Sequence, residues 1–143
     1  MKVREAMTSD VTMVTPEDTL KEAAELMAGL NVGLLPVGEN DRLVGMISDR
    51  DIAIRGIGLG RGPDTKVRDV MTSQVKYCFE DQNVEEVAEN MGAIQVRRLP
   101  VLDRNKRLVG IISMGDVTET AGADDTANAL HQISRLGGQH TQL

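Results

Sequence analysis

Apolar residues recur with helical spacing in two segments of the chain. Intervals of three and four residues place apolar side chains on one face of a helix. The residues with this spacing are Leu20, Ala23, Ala24, Met27 and Leu30 in the first segment, and Val84, Val87, Ala88 and Met91 in the second. We therefore predict an amphipathic helix in each segment, with this face buried.

Short apolar runs on either side of the first helix are typical of strands. Leu34–Val37 and Leu43–Ile47 flank the polar stretch Gly38–Arg42, which is the composition of a hairpin. An extended run at 11–15 precedes the helix, and a second helix is predicted to begin at Ser48. The predicted order of elements is β-α-β-β-α.

The whole pattern occurs twice, with an offset of 64 positions that becomes 65 after one insertion in a polar turn. The matching segments are Val3–Ser9 with Val67–Ser73, Leu35–Val37 with Leu99–Val101, and Leu43–Ser48 with Leu108–Ser113. A segment of roughly 60 residues buries too little surface to be stable alone. We therefore expect two copies of one unit that pack face to face.

These patterns predict a mixed α/β (α+β) fold. The expected boundaries are 1–62 for the first repeat with its N-terminal segment, 63–122 for the second repeat, and 123–143 for a C-terminal helix and tail. The glycine-rich stretch 56–63 is expected to end the second helix and to link the repeats. The C-terminal helix is predicted from about Asp125 to Leu136, with Gly137 and Gly138 as its stop.

Composition narrows the classes of function. The chain has 143 residues, of which 41% are hydrophobic and 1% aromatic, and a net charge of −6. Nucleic acid attracts cations and stacks on rings, so it is not an expected partner. The apolar runs are too short to span a membrane, and the first residues lack the apolar stretch of a secretory signal, which favours a cytoplasmic protein.

The sequence predicts neither a metal site nor a catalytic centre. Cys78 has no base partner in the sequence and is interpreted as a small buried apolar residue. His131 and His140 have no partner at metal-ligand spacing. Ser48 and Ser113 lack a recognisable His or Lys base, so we expect no enzyme activity and no required cofactor.

A Ser-x-x-Asp motif follows the last strand of each repeat, as Ser48–Asp51 and Ser113–Asp116. Such a motif is typical of a helix capping box, in which the acid caps the first turn. The same hydroxyl and backbone amides are also suited to bind a phosphate. The carboxylate could accept hydrogen bonds from the two hydroxyls of a ribose. The two interpretations are compatible and both stay open.

The ordered set of motifs resembles a tandem of CBS domains, known as a Bateman module. The resemblance is carried by the Val-Arg-x-x-Met-Thr opening, the helix that reaches Met27 or Met91, the Leu-Pro-Val strand and the Gly-h-h-Ser-x-x-Asp turn, where h is an apolar residue; each occurs twice, in register. It extends from Val3 to about Thr120 and is strongest for small stand-alone bacterial CBS-pair proteins. It implies repeats that pack pseudo-symmetrically through their sheets, and a homodimer.

The resemblance also implies a binding site for an adenosyl ligand such as AMP, ADP, ATP, NAD or S-adenosylmethionine. Asp51 and Asp116 would hold ribose hydroxyls, and Ser48 and Ser113 would contact phosphate. The remaining implied ligand contacts are Arg50, Val14, Thr15, Leu34, Leu35 and Pro36 in the first repeat, and Cys78, Phe79, Arg97, Arg98, Leu99 and Pro100 in the second.

The two implied sites are unequal. Arg50 places a cation near the phosphate position of the first repeat, and Asp49 partly cancels it. Phe79 is interpreted either as a stacking partner for adenine or as a plug that fills the pocket. Arg97 and Arg98 are interpreted either as ligand contacts or as a solvated surface pair.

Two functional hypotheses follow. In the first, the chain is a regulatory module that binds an adenosyl ligand between the repeats and signals to an unknown effector protein by changing shape. In the second, it is a dimerisation or protein-interaction module without a ligand, and the same motifs serve only as caps and packing.

Overall fold

The computed structural model describes residues 1–120 and 123–133. The chain forms two compact units whose limits differ from the predicted repeat boundaries. The first-repeat unit runs from Thr12 to Val75, and the second-repeat unit joins Met1–Val11 to the chain from Lys76 onward. The opening segment Val3–Ser9 therefore packs with the second repeat, although it precedes the first in sequence.

The elements confirm the predicted mixture of helix and sheet. In chain order they are α1 (Val3–Ala6), α2 (Leu20–Leu30), β1 (Leu34–Glu39), β2 (Arg42–Ser48), α3 (Asp49–Asp51), β3 (Cys78–Phe79), α4 (Val84–Ile94), β4 (Arg98–Leu102), β5 (Leu108–Ser113), α5 (Met114–Thr120) and α6 (Ala123–Ile133). In the part of the chain that is described, no helix is long and apolar enough to cross a membrane.

Each unit contains the predicted antiparallel hairpin, β1 with β2 and β4 with β5. The short strand β3 pairs in parallel with β4. The strand predicted at 11–15 is reduced to a single parallel bridge between Val14 and Val37. The hairpin turn of the first repeat is also shorter than predicted, because Asn40 and Asp41 adopt left-handed φ angles of 53° and 63° and close a two-residue turn.

The core of the first-repeat unit lies between α2 and the hairpin. Its buried apolar residues are Val14, Leu20, Ala23, Met27, Leu35, Val37, Ile47, Val67 and Val70. Two residues predicted on the buried face of α2, Ala24 and Leu30, are exposed. Ala24 lies at the edge of the apolar stripe, and Leu30 precedes the left-handed Asn31 that ends the helix.

The core of the second-repeat unit includes an additional helix. Helix α6 packs on α4 so closely that a Cβ on Gly92 would lie 2.9 Å from the Cα of Ala129. Ala129 and Ile133 are buried there, at 2% and 1% exposure. Helix α6 begins two residues before the predicted Asp125, and its predicted end at Leu136, with the glycine stop and His140, lies outside the described residues.

The helical path continues beyond α3. A π-helical segment, Ile52–Gly56, and a 3-10 turn, Ile57–Leu59, continue it. Gly60 then ends the path with a left-handed φ of 77°, a conformation that glycine adopts without strain. The helical path therefore ends inside the glycine-rich stretch 56–63, as predicted, at the third of its glycines.

The opening segments complete the two sheets. Thr8 exchanges two backbone hydrogen bonds of 2.9 Å with Ile111, and Thr72 exchanges two of 2.8 and 2.9 Å with Met46. Val3 lies in the core of the second-repeat unit, and Val67 in that of the first. Each Val-Arg-x-x-Met-Thr motif is thus an edge segment anchored in a core by its first valine, and Val70 is a second anchor in the Val67–Ser73 copy.

Candidate functional site

Both Ser-x-x-Asp motifs form helix capping boxes, as the first of the two interpretations of these motifs predicted. In the first, the Ser48 amide donates to Asp51 Oδ2 at 3.0 Å and the Asp51 amide donates to Ser48 Oγ at 3.0 Å. The corresponding distances for Ser113 and Asp116 are 2.9 and 3.2 Å. Each box uses one carboxylate oxygen, Oδ2, which leaves Oδ1 for another partner.

The residues before each Leu-Pro-Val strand lie against these boxes. Leu34 is the cross-strand partner of Ser48, and Arg98 is that of Ser113. The capping turns are also tied to these residues by backbone hydrogen bonds of 2.9 Å, from Asp49 N to Gly33 O and from Met114 N to Arg97 O. Each unit therefore brings together the predicted sugar and phosphate contacts with the start of the predicted adenine contacts.

Alternation along the strands divides the predicted adenine contacts between two faces. Leu35 and Leu99 belong to the hydrophobic cores and are 2% and 1% exposed. Directly paired residues share a face of the sheet, so Leu34 lies on the face of Ser48, and Arg98 on that of Ser113. Leu35 and Leu99 thus serve packing, and their neighbours Leu34 and Arg98 flank the serines.

The predicted first-strand contacts lie at the far end of the sheets. These residues are Val14, Thr15, Cys78 and Phe79. Phe79 pairs with Leu102, whereas Ser113 pairs with Arg98 at the other end of the same strand. Four residues of strand span about 13 Å. The structure does not bring Phe79 next to the capping box of its repeat, and Val14, which pairs with Val37, is similarly placed.

The ring of Phe79 is already packed within its own unit. The Arg104 guanidinium lies 4.1 Å from the ring centroid, and the Tyr77 ring contacts it edge-on at 5.6 Å between centroids. Arg104 is held in turn by Asp81, at 2.7 and 2.8 Å. A base that stacked on the same face of Phe79 would displace Arg104.

Cys78 is buried, and its Sγ lies 3.8 Å from the carbonyl oxygen of Pro100. Burial raises the pKa of this thiol to about 12, so it stays protonated at neutral pH and is a poor nucleophile. We expect a thiol-specific chromogenic disulfide to react with Cys78 only after denaturation. Fast stoichiometric labelling of the folded protein at pH 8 would contradict the burial of this residue.

Sequence reasoning missed Arg55, which contacts the first capping box. Its Nη2 lies 3.0 Å from Asp51 Oδ1 in an i,i+4 ion pair. The spacing of an acid and a cation by four residues on a helix was a signal for this contact. Arg50, which was predicted near the phosphate, is exposed.

An open groove of about 450 Å³ borders the first-repeat site on the side of α2. It is lined by Ala24, Met27, Ala28, Asn31, Val32, Gly33, Asp49 and Ile52. Ser48 and Asp51 are not part of this lining, so the groove is distinct from the capping box.

Exposed ion pairs connect Glu17 to the start of the Val67–Ser73 segment in the first-repeat unit. Glu17 bonds to both Lys66 and Arg68. The hydrogen bond from Lys66 is the main cause that lowers the pKa of Glu17, with Arg68 adding to it. A carboxylate whose pKa is lower in the folded state stabilises it at neutral pH, and this contribution is lost as pH falls through that pKa.

We therefore expect Glu17→Gln to lower the melting temperature at pH 7, and this effect to shrink as pH falls and the Glu17 carboxylate is protonated. Thermal melts at pH 7, 5 and 3 measure this. Glu25→Gln is the matched control, because Glu25 has only an exposed i,i+4 pair with Lys21 at 3.8 Å. An equal loss for Glu17→Gln at all three pH values would contradict the assignment.

Within the described residues, no group of three or more His, Cys, Asp or Glu side chains is arranged to hold a metal ion.

Both repeats match a known domain family. Residues 3–56 and 67–123 each match the model of the CBS domain. The CBS domain-containing protein YhcV of Bacillus subtilis (strain 168) is 40% identical over 133 residues, which cover 92% of this chain and 94% of YhcV.

Solved structures with this fold include two that carry adenosyl ligands. CBSX2 in complex with AMP superposes with a TM-score of 0.73 at 30% identity, over 84% of this chain and 95% of that chain. The CBS domain pair of protein MJ0100, in complex with 5′-methylthioadenosine and S-adenosyl-L-methionine, gives 0.74 at 26% identity, over 87% and 98%. With both repeats matched and YhcV aligned along nearly its full length, the chain belongs to the CBS-domain family as a tandem pair of these regulatory domains.

Proposed function

We propose that this chain binds an adenosyl ligand of the AMP, ADP, ATP, NAD or S-adenosylmethionine class at its Ser-x-x-Asp turns. The observation that carries the proposal is the geometry of these turns: one carboxylate oxygen completes the cap, and the acid stays beside the start of the Leu-Pro-Val strand. The AMP bound by CBSX2 and the 5′-methylthioadenosine and S-adenosyl-L-methionine bound by MJ0100 support the ligand class.

The residues suit the parts of such a ligand. The aspartate accepts hydrogen bonds from the ribose hydroxyls, each worth about 1.5–3 kcal/mol with a charged acceptor. The serine hydroxyl donates to a phosphate oxygen or to its counterpart. Aliphatic side chains, Pro36 in the first repeat and Pro100 in the second, supply a wall for adenine, which a chain with 1% aromatic residues needs in place of stacking rings.

The ligand acts by favouring one arrangement of the chain. A ligand shifts a conformational equilibrium only by the difference between its affinities for the two states. An effector protein that contacts one of these states then senses the ligand. The proposal assigns no catalytic residue and requires no cofactor.

Thermal unfolding with a panel of ligands tests the proposal. A ligand at 100 times its dissociation constant adds about 2.7 kcal/mol of stability, so at least one of the five adenosyl ligands is expected to raise the melting temperature by several degrees. GMP at the same concentration is the control for phosphate without adenine. No response to any adenosyl ligand at millimolar concentration, or an equal response to GMP, overturns the proposal.

A specific observation also favours pairing with a second copy. The groove beside α2 is lined mainly by small and apolar residues, with Asn31 and Asp49 as its polar members, and Val32 in it is 42% exposed. In the second-repeat unit, the matching helix α4 has its small residue Gly92 covered by α6. We propose that a second copy of the chain covers the groove of the first repeat, giving a homodimer.

Light scattering during gel filtration tests this pairing. The wild-type chain is expected to elute as a dimer, and Val32→Lys as a monomer because it places a charge in the groove. Leu130→Lys is the control, since Leu130 is similarly exposed, at 42%, on α6. A monomeric wild type, or a dimer that survives Val32→Lys, rules the groove out as the interface.

A further inference from the structure

The two Ser-x-x-Asp turns differ in what holds the second carboxylate oxygen. In the first repeat, Ser48 N bonds to Oδ2 of Asp51, and Arg55 Nη2 lies 3.0 Å from Oδ1. Both oxygens are therefore engaged by the protein. The Asp51 side chain is 14% exposed and that of Arg55 is 42% exposed, so a ribose that approached Asp51 would have to compete with the guanidinium.

Arg55 is itself fixed by the opening segment of its unit. Its Nη2 and Nε donate to the carbonyl oxygen of Val70 at 2.6 and 3.1 Å, and Nη2 also donates to Thr72 Oγ1 at 3.1 Å. Val70 is 1% exposed and belongs to the core. Moving the guanidinium away from Asp51 therefore strains or breaks three hydrogen bonds to a well-packed segment.

The second repeat has no such cation at the matching position. Thr120 replaces Arg55 there, 65 positions further along. Its hydroxyl donates to the backbone oxygen of Asp116 at 3.0 Å. The hydrogen bonds described for the Asp116 carboxylate use Oδ2, so among the described residues Oδ1 is left as an acceptor.

The charges beside the two serines also favour a phosphate in the second repeat over one in the first. The Asp49 carboxylate lies so close to Gly33 that a Cβ there would be 2.8 Å from Asp49 Oδ2. The matching residues in the second repeat are Met114 and Arg97. A phosphate beside Ser48 would therefore lie near an anion, whereas the second repeat has arginines at positions 97 and 98, and Arg98 pairs with Ser113 across the hairpin.

We infer that the chain binds one adenosine 5′-phosphate, at the second repeat, and that Arg55 closes the first repeat by occupying Asp51. The inference rests on the adenosyl ligand proposed above.

Titration calorimetry with AMP tests the inference through stoichiometry. The wild-type chain is expected to bind one AMP per chain. Arg55→Thr, which copies the second repeat, is expected to bind a second AMP, and Arg55→Lys, which keeps a cation, to stay at one. Thr120→Arg places the cation beside Asp116 and is expected to weaken binding at least tenfold; it tests the same idea if Arg55→Thr folds poorly, which a thermal melt reveals.

The outcomes separate this inference from the proposed function. A wild-type chain that binds neither AMP nor any other adenosyl ligand overturns both. Two AMP molecules per wild-type chain, a folded Arg55→Thr variant that still binds one, or unchanged affinity in Thr120→Arg overturns the closing role of Arg55, while the proposed function stands.

Discussion

Replacing Gly110 by alanine is expected to destabilise the fold by about 1–3 kcal/mol, the usual cost of forcing extra atoms into a packed site. A Cβ at Gly110 would lie 2.5 Å from Met7 Sδ and 2.8 Å from the backbone oxygen of Thr8. The Met7 side chain can move, but the Thr8 carbonyl is fixed because it accepts the Ile111 amide at 2.9 Å. The substitution therefore pushes the opening segment off the edge of the sheet.

Chemical denaturation measures this loss as a lower midpoint with an unchanged slope. Gly29→Ala is the control, since no atom lies within 4 Å of a Cβ at that position in α2. Alanine in the interior of a helix is favoured over glycine by roughly 0.5–1 kcal/mol, so this variant should be neutral or more stable. A Gly110→Ala variant as stable as the wild type would show that the edge segment is not held as described.

The second large effect is expected on ligand binding. Asp116→Ala removes the proposed acceptor of the ribose hydroxyls, and the loss of two hydrogen bonds to a charged group costs at least about 3 kcal/mol. We expect the affinity for AMP to fall about 100-fold or more. The same change removes the hydrogen bond from the Ser113 amide in the capping box, which costs about 0.3–1 kcal/mol of stability.

Calorimetry on the folded variant separates the two effects. Glu22→Ala is the matched control, because Glu22 is also the third residue of a capped helix and its carboxylate accepts a hydrogen bond from the Thr19 hydroxyl at 3.2 Å. It should lose stability comparably and bind AMP normally. Wild-type affinity in Asp116→Ala would return this acid to capping alone.

The sequence predicted the elements whose signals are local. The spacing of Val84, Val87, Ala88 and Met91 marked the buried face of α4, and all four residues are buried. The Ser-x-x-Asp motifs gave both capping boxes, since such a box depends only on residues three apart. The duplication itself gave the family.

What the sequence did not reveal depends on contacts between distant segments. Nothing in the Val3–Ser9 motif shows that it completes the sheet of the second repeat, where Thr8 pairs with Ile111, about 100 residues later. Repeat boundaries drawn from the duplication therefore differ from the compact units. The position of Arg55 against Asp51 similarly depends on its hydrogen bonds to Val70 and Thr72, which lie 15 and 17 residues away from Arg55 in the sequence.

The arrangement of the candidate site could also be predicted only where it depends on residues that are close in sequence. Leu34 and Arg98 lie beside the serines because each local hairpin pairs the start of its first strand with the end of its second. Phe79 was expected near the ligand from its position in the repeat, but its parallel pairing with Leu102 places it at the far end of β4. That register is set by tertiary packing, which a two-residue strand does not encode locally.

Nuclear magnetic resonance shows directly whether an adenosyl ligand occupies a Ser-x-x-Asp turn. AMP is titrated into the isotope-labelled wild-type chain, and the backbone amide signals are followed to saturation. We expect the amides of Ser113 and Asp116 to shift most, and GMP to leave them in place. Saturable AMP-induced shifts that spare the amides of both Ser-x-x-Asp turns, or no shift with AMP at all, would contradict an adenosyl site at these turns.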